Sequence, residues 1–205
     1  MAKHVELGAA LTALLVLGTR VAQAAPQQFG DRGQWAVELR GAASLRRFSG
    51  DEGFAHAEKG LKLEPTVSYF AAPRLSVGLG VGLSQEWGLE HEGGRTGDTR
   101  AVVVSPHVGY LVPLAEHFDI LPELDAGLGK VWFLPPAGSE ADTTSNGMFD
   151  VSLSAPVVWH PTGQLFAGLG PTATFRHFAS RAPEADLKPW FLLGVLVSVG
   201  GYFPS

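Results

Sequence analysis

The sequence predicts an all-β protein: an eight-stranded antiparallel up-and-down transmembrane β-barrel preceded by a cleavable signal peptide. Three observations point there. Large apolar residues recur at every second position in eight separate stretches. The positions between them hold small or polar residues, and the connections alternate between long and short. Aromatic residues gather near the stretch ends, leaving Leu and Val between them.

Residues 1–24 come first. MAKHVE carries Lys3, LGAALTALLVLG is apolar, and TRVAQA ends in Ala22-Gln23-Ala24. Charge, apolar segment and a small-x-small end form the layout of a secretory signal peptide, cleaved after Ala24. The apolar segment is too short to span a bilayer as a helix. Residues 25–205 then read as one domain.

The first strand covers about residues 34–45, with Trp35, Val37, Leu39, Ala43 and Leu45 on one face. The second, about 61–70, aligns Leu61, Leu63, Val67 and Tyr69. The third, LSVGLGVGLSQEWGL over 75–89, sets Leu75, Val77, Leu79, Val81 and Leu83 against Ser76, Gly78, Gly80, Gly82 and Ser84. Val102, Val104, Val108, Tyr110 and Val112 mark the fourth, and Ile120, Leu124, Ala126, Leu128 and Trp132 the fifth. The sixth aligns Phe149, Val151, Leu153, Ala155, Val157 and Trp159. Leu165, Ala167, Leu169, Ala173 and Phe175 make the seventh; Phe191, Leu193, Val195, Val197, Val199 and Phe203 make the eighth. Most are long enough to cross a bilayer when tilted, which takes about 9–11 residues.

Segments 46–60, 90–99, 134–147 and 179–188 are long and polar. Segments 71–74, 113–118 and 160–163 are short and contain Pro73, Pro113 and Pro161. Loops at one end and turns at the other place both termini on the turn side.

A soluble barrel would also alternate, with its apolar face inward. Here the complementary face is rich in Gly, Ser, Thr and Ala rather than in solvating Lys and Glu. Small residues fit a crowded lumen, whereas lipid accepts outward bulk. The expected interface girdle is Trp35, Tyr69, Trp87, Tyr110, Trp132, Phe149, Trp159, Phe175, Trp190 and Phe203, with Tyr202 joining it at the turn end. Pro65, Pro106, Pro122, Pro156 and Pro171 fall inside strands, where each removes a ladder donor; bulges or shifted boundaries are expected there. Lys130 falls on the outward face by parity, and either its stem snorkels to the headgroups or a bulge turns it inward.

A leader, eight alternating strands and the terminal FLLGVLVSVGGYF resemble small bacterial outer-membrane barrels of the OmpA/OmpX-like type over residues 30–203. The resemblance implies residence in the bacterial outer membrane, beside its lipids and lipopolysaccharide. It also implies a final strand read by the outer-membrane insertion machinery through Phe203, although Pro204 and Ser205 follow. A monomer is expected.

The chemistry follows from what the lumen must hold. Glu38, Arg40, Lys62, Glu64, Glu86, Glu123, Asp125, Asp150 and Arg176 fall on the inward face. Charges enclosed in a narrow barrel need partners, so these nine are expected to form an internal polar network that fills it. Absent cysteine excludes disulfides and thiolate metal sites, and seven histidines show neither H-x-H nor H-E-x-x-H spacing; no cofactor or metal is expected. The net charge of −5 is no footprint for nucleic acid.

No catalytic residue is assigned. The nearest candidate is RHFAS, which bears a distant likeness to the His and Ser of PagL-type lipid A deacylases. In those enzymes the two residues stand two positions apart; here His177 and Ser180 stand three apart, on opposite faces of a continuing strand. The role expected is structural or surface-interacting, with a lipid-modifying enzyme or a narrow channel as alternatives.

Overall fold

The computed structural model describes residues 28–49, 55–87, 90–91, 94–95, 97–135, 138, 142–161, 164–179 and 190–203. The expected signal peptide and its expected cleavage point lie outside the described residues, as do Ser180 and the side chain of Trp190. Eight strands form the wall: β1 (Trp35–Ser49), β2 (Ala55–Ala72), β3 (Leu75–Trp87) and β4 (Asp98–Tyr110, resumed as Val112–Ala115). The others are β5 (Phe118–Ile120 and Glu123–Leu134), β6 (Thr144–Ser154 and Val157–Trp159), β7 (Leu165–Ala179) and β8 (Trp190–Phe203). Each pairs antiparallel with its neighbour in the chain, and β8 returns to β1 from Trp35↔Phe203 to Arg46↔Leu192. The ring is closed, so its backbone groups pair without an open edge. A two-rung ladder of Glu90–His91 and Gly94–Arg95 stands between β3 and β4.

The apolar alternation becomes an outward belt. Leu39, Leu63, Leu79, Val104, Leu124, Leu153, Leu169 and Val197 all stand exposed, on eight different strands. Such a continuous apolar surface exceeds what a water-soluble monomer carries, and hydrocarbon is the solvent it suits. The first hairpin runs past the apolar stretches, to Ser49↔Ala55. Backbone pairing needs no apolar side chains, so the ladder continues after the greasy band ends.

Most strand prolines leave the register untouched. On β2, Leu63↔Leu83 and Thr66↔Gly80 keep one register across Pro65, with only the rungs between them missing. Val104↔Leu128 and His107↔Asp125 do the same across Pro106. Around the others, the proline carbonyls still accept: Tyr110 N–H donates to Pro122 (3.0 Å), Leu121 to Pro156 (2.9 Å) and Ala155 to Pro171 (3.2 Å). Of the two expected outcomes, shifted boundaries occur at Pro122 and Pro156, where the strands pause between Ile120 and Glu123 and between Ser154 and Val157. At Pro65 and Pro106 only rungs are missing; a proline removes one donor while the flanking geometry stays extended.

Two expectations about the faces need correction. Tyr202 points inward and is buried, because β8 sends odd-numbered residues out and even-numbered ones in. Lying near a strand end did not decide its face. The lumen is also less slender than its Gly, Ser and Thr suggest. Phe29, Phe70, Leu111, Leu121, Val158, Phe166 and Tyr202 form one apolar cluster at the turn end. Ala101, Val103, Val131, Met148, Phe178 and Leu192 form another toward the loops.

The glycines of β3 make room for this filling. A Cβ at Gly78 would meet the Val67 carbonyl oxygen and the His107 ring, and one at Gly82 the Lys62 stem. Gly78→Leu is expected to cost about 1–3 kcal/mol through overpacking, seen as a lower urea midpoint for unfolding in detergent.

Candidate functional site: the charged lumen

All nine charged residues placed inward by parity line the interior. Arg40 on β1 is the hub of the lower group. Its Nε donates to Glu38 Oε1 at 2.8 Å, Nη2 to Glu123 Oε1 at 2.5 Å and Nη1 to Asp125 Oδ1 at 3.4 Å. Glu123 and Asp125 belong to β5, four strands from β1 in either direction round the ring. The guanidinium thus spans the lumen.

Arg176 on β7 repeats the arrangement nearer the loops. Nε and Nη2 grip both oxygens of Asp150 on the adjacent β6, at 2.9 and 3.1 Å. Nη1 reaches Glu86 Oε1 on β3 at 2.6 Å, again four strands away. Thr99 Oγ1 donates to the other Glu86 oxygen at 3.2 Å. Arginine suits both places because its planar fork bonds several carboxylate oxygens at once and keeps its charge when buried. Lys62 pairs with Glu64 at 2.9 Å.

Parity also puts His107 on the inner face of β4, where its Nε2 lies 2.8 Å from Ser68 Oγ. Its Nδ1 stands 3.9 Å from Asp125 Oδ1. The same even-odd count that found the carboxylates marks this histidine, although the lumen set drawn from charge alone omits it. Phe29 gave no such signal, since it precedes the first alternating stretch. It packs against Phe166 (4.9 Å between centroids), Tyr202 (5.0 Å) and Phe70 (5.6 Å). Its loop is held by Gly30 N–H donating to Gln34 Oε1 at 2.9 Å and by Arg74 N–H donating to the Gly30 carbonyl at 2.7 Å. Gly30 sits at φ +94°, a conformation that glycine adopts at little cost.

The nine residues carry six carboxylates and three cations, an acidic surplus inside the wall. Glu64 Oε1, Glu123 Oε2 and Ser154 Oγ are buried and find no hydrogen-bond partner among the described residues. A cavity of about 60 Å³ lies among Arg40, Glu64, Asp125, Asp150, Ser154 and Arg176. Polar lining and unbonded oxygens of this kind are what buried water satisfies. Among the described residues, no three of His, Asp and Glu are placed to hold a metal ion.

The girdle residues sit at the two rims. Trp35 and Tyr69 pack together at the turn end, 5.0 Å between ring centroids. Tyr110 and Trp159 stand exposed at that end, with Phe203 partly exposed. Trp87, Phe149 and Phe175 stand exposed toward the loops, with Trp132 partly covered there. Lys130 points outward, its Nζ 5.4 Å from the Trp132 ring centroid, so no bulge turns it in. His177 is exposed on the outer face of β7, away from the lumen.

No protein-family model matches the chain, and no curated protein matches its sequence. Solved structures do. Neisserial surface protein A is 10% identical, with a TM-score of 0.56 over 85% of this chain and 100% of that one. The attachment invasion locus protein Ail of Yersinia pestis is 16% identical, with a TM-score of 0.47 over 84% of this chain and 99% of that one. The N-terminal β-barrel domain of OprF from Pseudomonas aeruginosa is 14% identical, with a TM-score of 0.45 over 84% and 98%. The likeness to the Neisserial protein shows the fold: that of the small eight-stranded barrels of bacterial outer membranes.

Proposed function

We propose that the chain is an integral outer-membrane protein whose role is structural or surface-interacting, with a plugged lumen and no catalysis. One observation carries this most directly: two arginines bridge opposite walls, Arg40 from β1 to β5 and Arg176 from β7 to β3. An eight-stranded barrel has room for side chains or one small ligand, and here side chains occupy it. The apolar clusters above and below the charged layer support the same reading. Function rests on the site rather than on the fold likeness alone.

Export fits a signal peptide removed after Ala24, and insertion fits recognition of the final strand through Phe203. The barrel acts as a monomer, and its longer loops face outside the cell. Its surroundings are outer-membrane lipids and lipopolysaccharide. The lipid-modifying alternative rests on His177, which projects outward from β7, and on Ser180, whose spacing of three from it is not the spacing of two which that alternative needs. The experiment is reconstitution of the purified barrel in planar bilayers and, separately, with lipid A. Neither steady conductance nor acyl release is expected. Steady conductance altered by Glu86→Gln would make the protein a channel. Fatty acid release abolished by His177→Ala would make it an enzyme.

A further inference from the structure

Phe29 stands in the lumen although no wall strand carries it; it belongs to residues 28–34, which precede β1. Its ring is received by Phe70, Phe166 and Tyr202 on β2, β7 and β8, and by His160 just past the end of β6, 5.6 Å between centroids. His160 Nε2 lies 2.7 Å from Asp119 Oδ2 on β5, which fixes that side of the socket. One side chain thus fills a mouth built from elements all round the ring.

The backbone of this strap is tied to the rim. Gly33 N–H donates to the Phe70 carbonyl at 2.8 Å, and Phe70 N–H donates to the Gln34 carbonyl at 2.9 Å. Arg74, in the β2–β3 turn, sits at φ +67°, a conformation few residues other than glycine adopt. Its N–H holds the Gly30 carbonyl while its own carbonyl accepts from Leu111 N–H at 2.8 Å, so the strained turn links strap to β4. The wall does not depend on the strap. Its ring closes from Trp35↔Phe203 and Trp35↔Tyr69 onward, and residues 28–33 supply none of its rungs. A segment held by one ring and a few backbone bonds opens at far lower cost than a closed ladder.

We propose that residues 28–34 are a removable seal, a strap that docks through Phe29 into the closed barrel and controls entry of water and small solutes from the turn end. The inference deepens the plugged-lumen reading and rests on it. Two closures of different kinds stand in series. The arginine bridges tie opposite walls together, so releasing them loosens the barrel itself. Withdrawing the strap leaves the wall intact. The inward residue of β2 next above Phe70 is Ser68, whose hydroxyl lies 2.8 Å from His107 Nε2. His107 Nδ1 in turn lies 3.9 Å from Asp125, a partner of Arg40. The strap thus separates the turn-end compartment from the charged layer.

The test places single cysteines in a chain that has none. Ser76 is buried and stands opposite Phe70 on the β2–β3 ladder, behind the strap; Thr99 is buried toward the loop end of β4. Ser76→Cys and Thr99→Cys are each reacted, in the detergent-purified barrel, with a charged, water-soluble thiosulfonate. With Phe29 in place, Ser76→Cys is expected to react slowly. Adding Phe29→Ala should raise that rate about ten-fold, and Phe29→Leu, which keeps an apolar stopper, should raise it less. Gly30→Ala should also raise it, by another route: at φ +94° its Cβ would run into Leu111. Thr99→Cys should react at one rate in every background. Heat-dependent gel mobility should show all strap variants folded. An unchanged rate at Ser76→Cys on losing Phe29, equal acceleration at both cysteines, or loss of the folded band would overturn the seal. Fast reaction at Ser76→Cys with Phe29 present would remove the plugged-lumen reading and the seal with it.

Discussion

Arg40→Met is expected to destabilise the barrel by about 3–5 kcal/mol, the range for breaking a buried ion pair from one side. The methionine fills much of the volume, so the loss is chiefly electrostatic. Glu38, Glu123 and Asp125 would be left facing one another without the guanidinium that bonds all three. Urea unfolding in detergent, followed by tryptophan fluorescence and by heat-dependent gel mobility, measures the effect. A second substitution separates charge from packing. Adding Glu123→Gln to Arg40→Met removes one stranded carboxylate and should recover part of the loss. If Arg40→Met unfolds at the wild-type urea concentration, the cross-lumen bridge is not a determinant of stability.

Leu79→Arg is expected to cost about 2–4 kcal/mol in a bilayer and to slow insertion. Leu79 stands on the outer face of β3, with Val67 and Pro106 opposite it, midway between turn and loop ends. A guanidinium there has hydrocarbon on every side. The same substitution at Leu45, exposed toward the loop end of β1, should cost only about 0–1 kcal/mol, because the penalty falls toward the interface. The contrast is the informative quantity. Equal effects at the two heights, measured by folding yield into phosphatidylcholine vesicles, would argue that no lipid gradient surrounds the wall.

The barrel was legible because one period runs through all eight strands. Leu75 to Leu83 reports both faces at once: bulk outward, and glycine inward where Lys62, Glu64 and His107 need space. The same parity located both arginine hubs and, among the described residues, the carboxylates Glu38, Glu86, Glu123, Asp125 and Asp150 that they bind. It could not show which charges meet, since Arg40 and Glu123 are brought together only by closure of the ring. Tyr202 lies near a strand end like the girdle residues, yet its even position turns it inward. Phe29 was invisible for another reason. It lies in an irregular loop whose entry into the lumen depends on Gly30 at positive φ and on contacts with β2, β7 and β8. Nor does alternation reveal whether a proline will bulge a strand or merely open a gap in it, because that depends on neighbouring strands holding register.

The orientation of the wall can be measured directly, since the chain contains no cysteine and each introduced one is unique. A nitroxide would be attached at Leu79→Cys or at Ser105→Cys, the latter buried on the inner face of β4. Its collisions with oxygen and with a water-soluble nickel complex would be compared in vesicles. At position 79, frequent collision with oxygen and rare collision with nickel is predicted; at position 105, collision with both should be rare. A label at 79 that is shielded from oxygen, on a protein that stays in solution without detergent, would contradict the account.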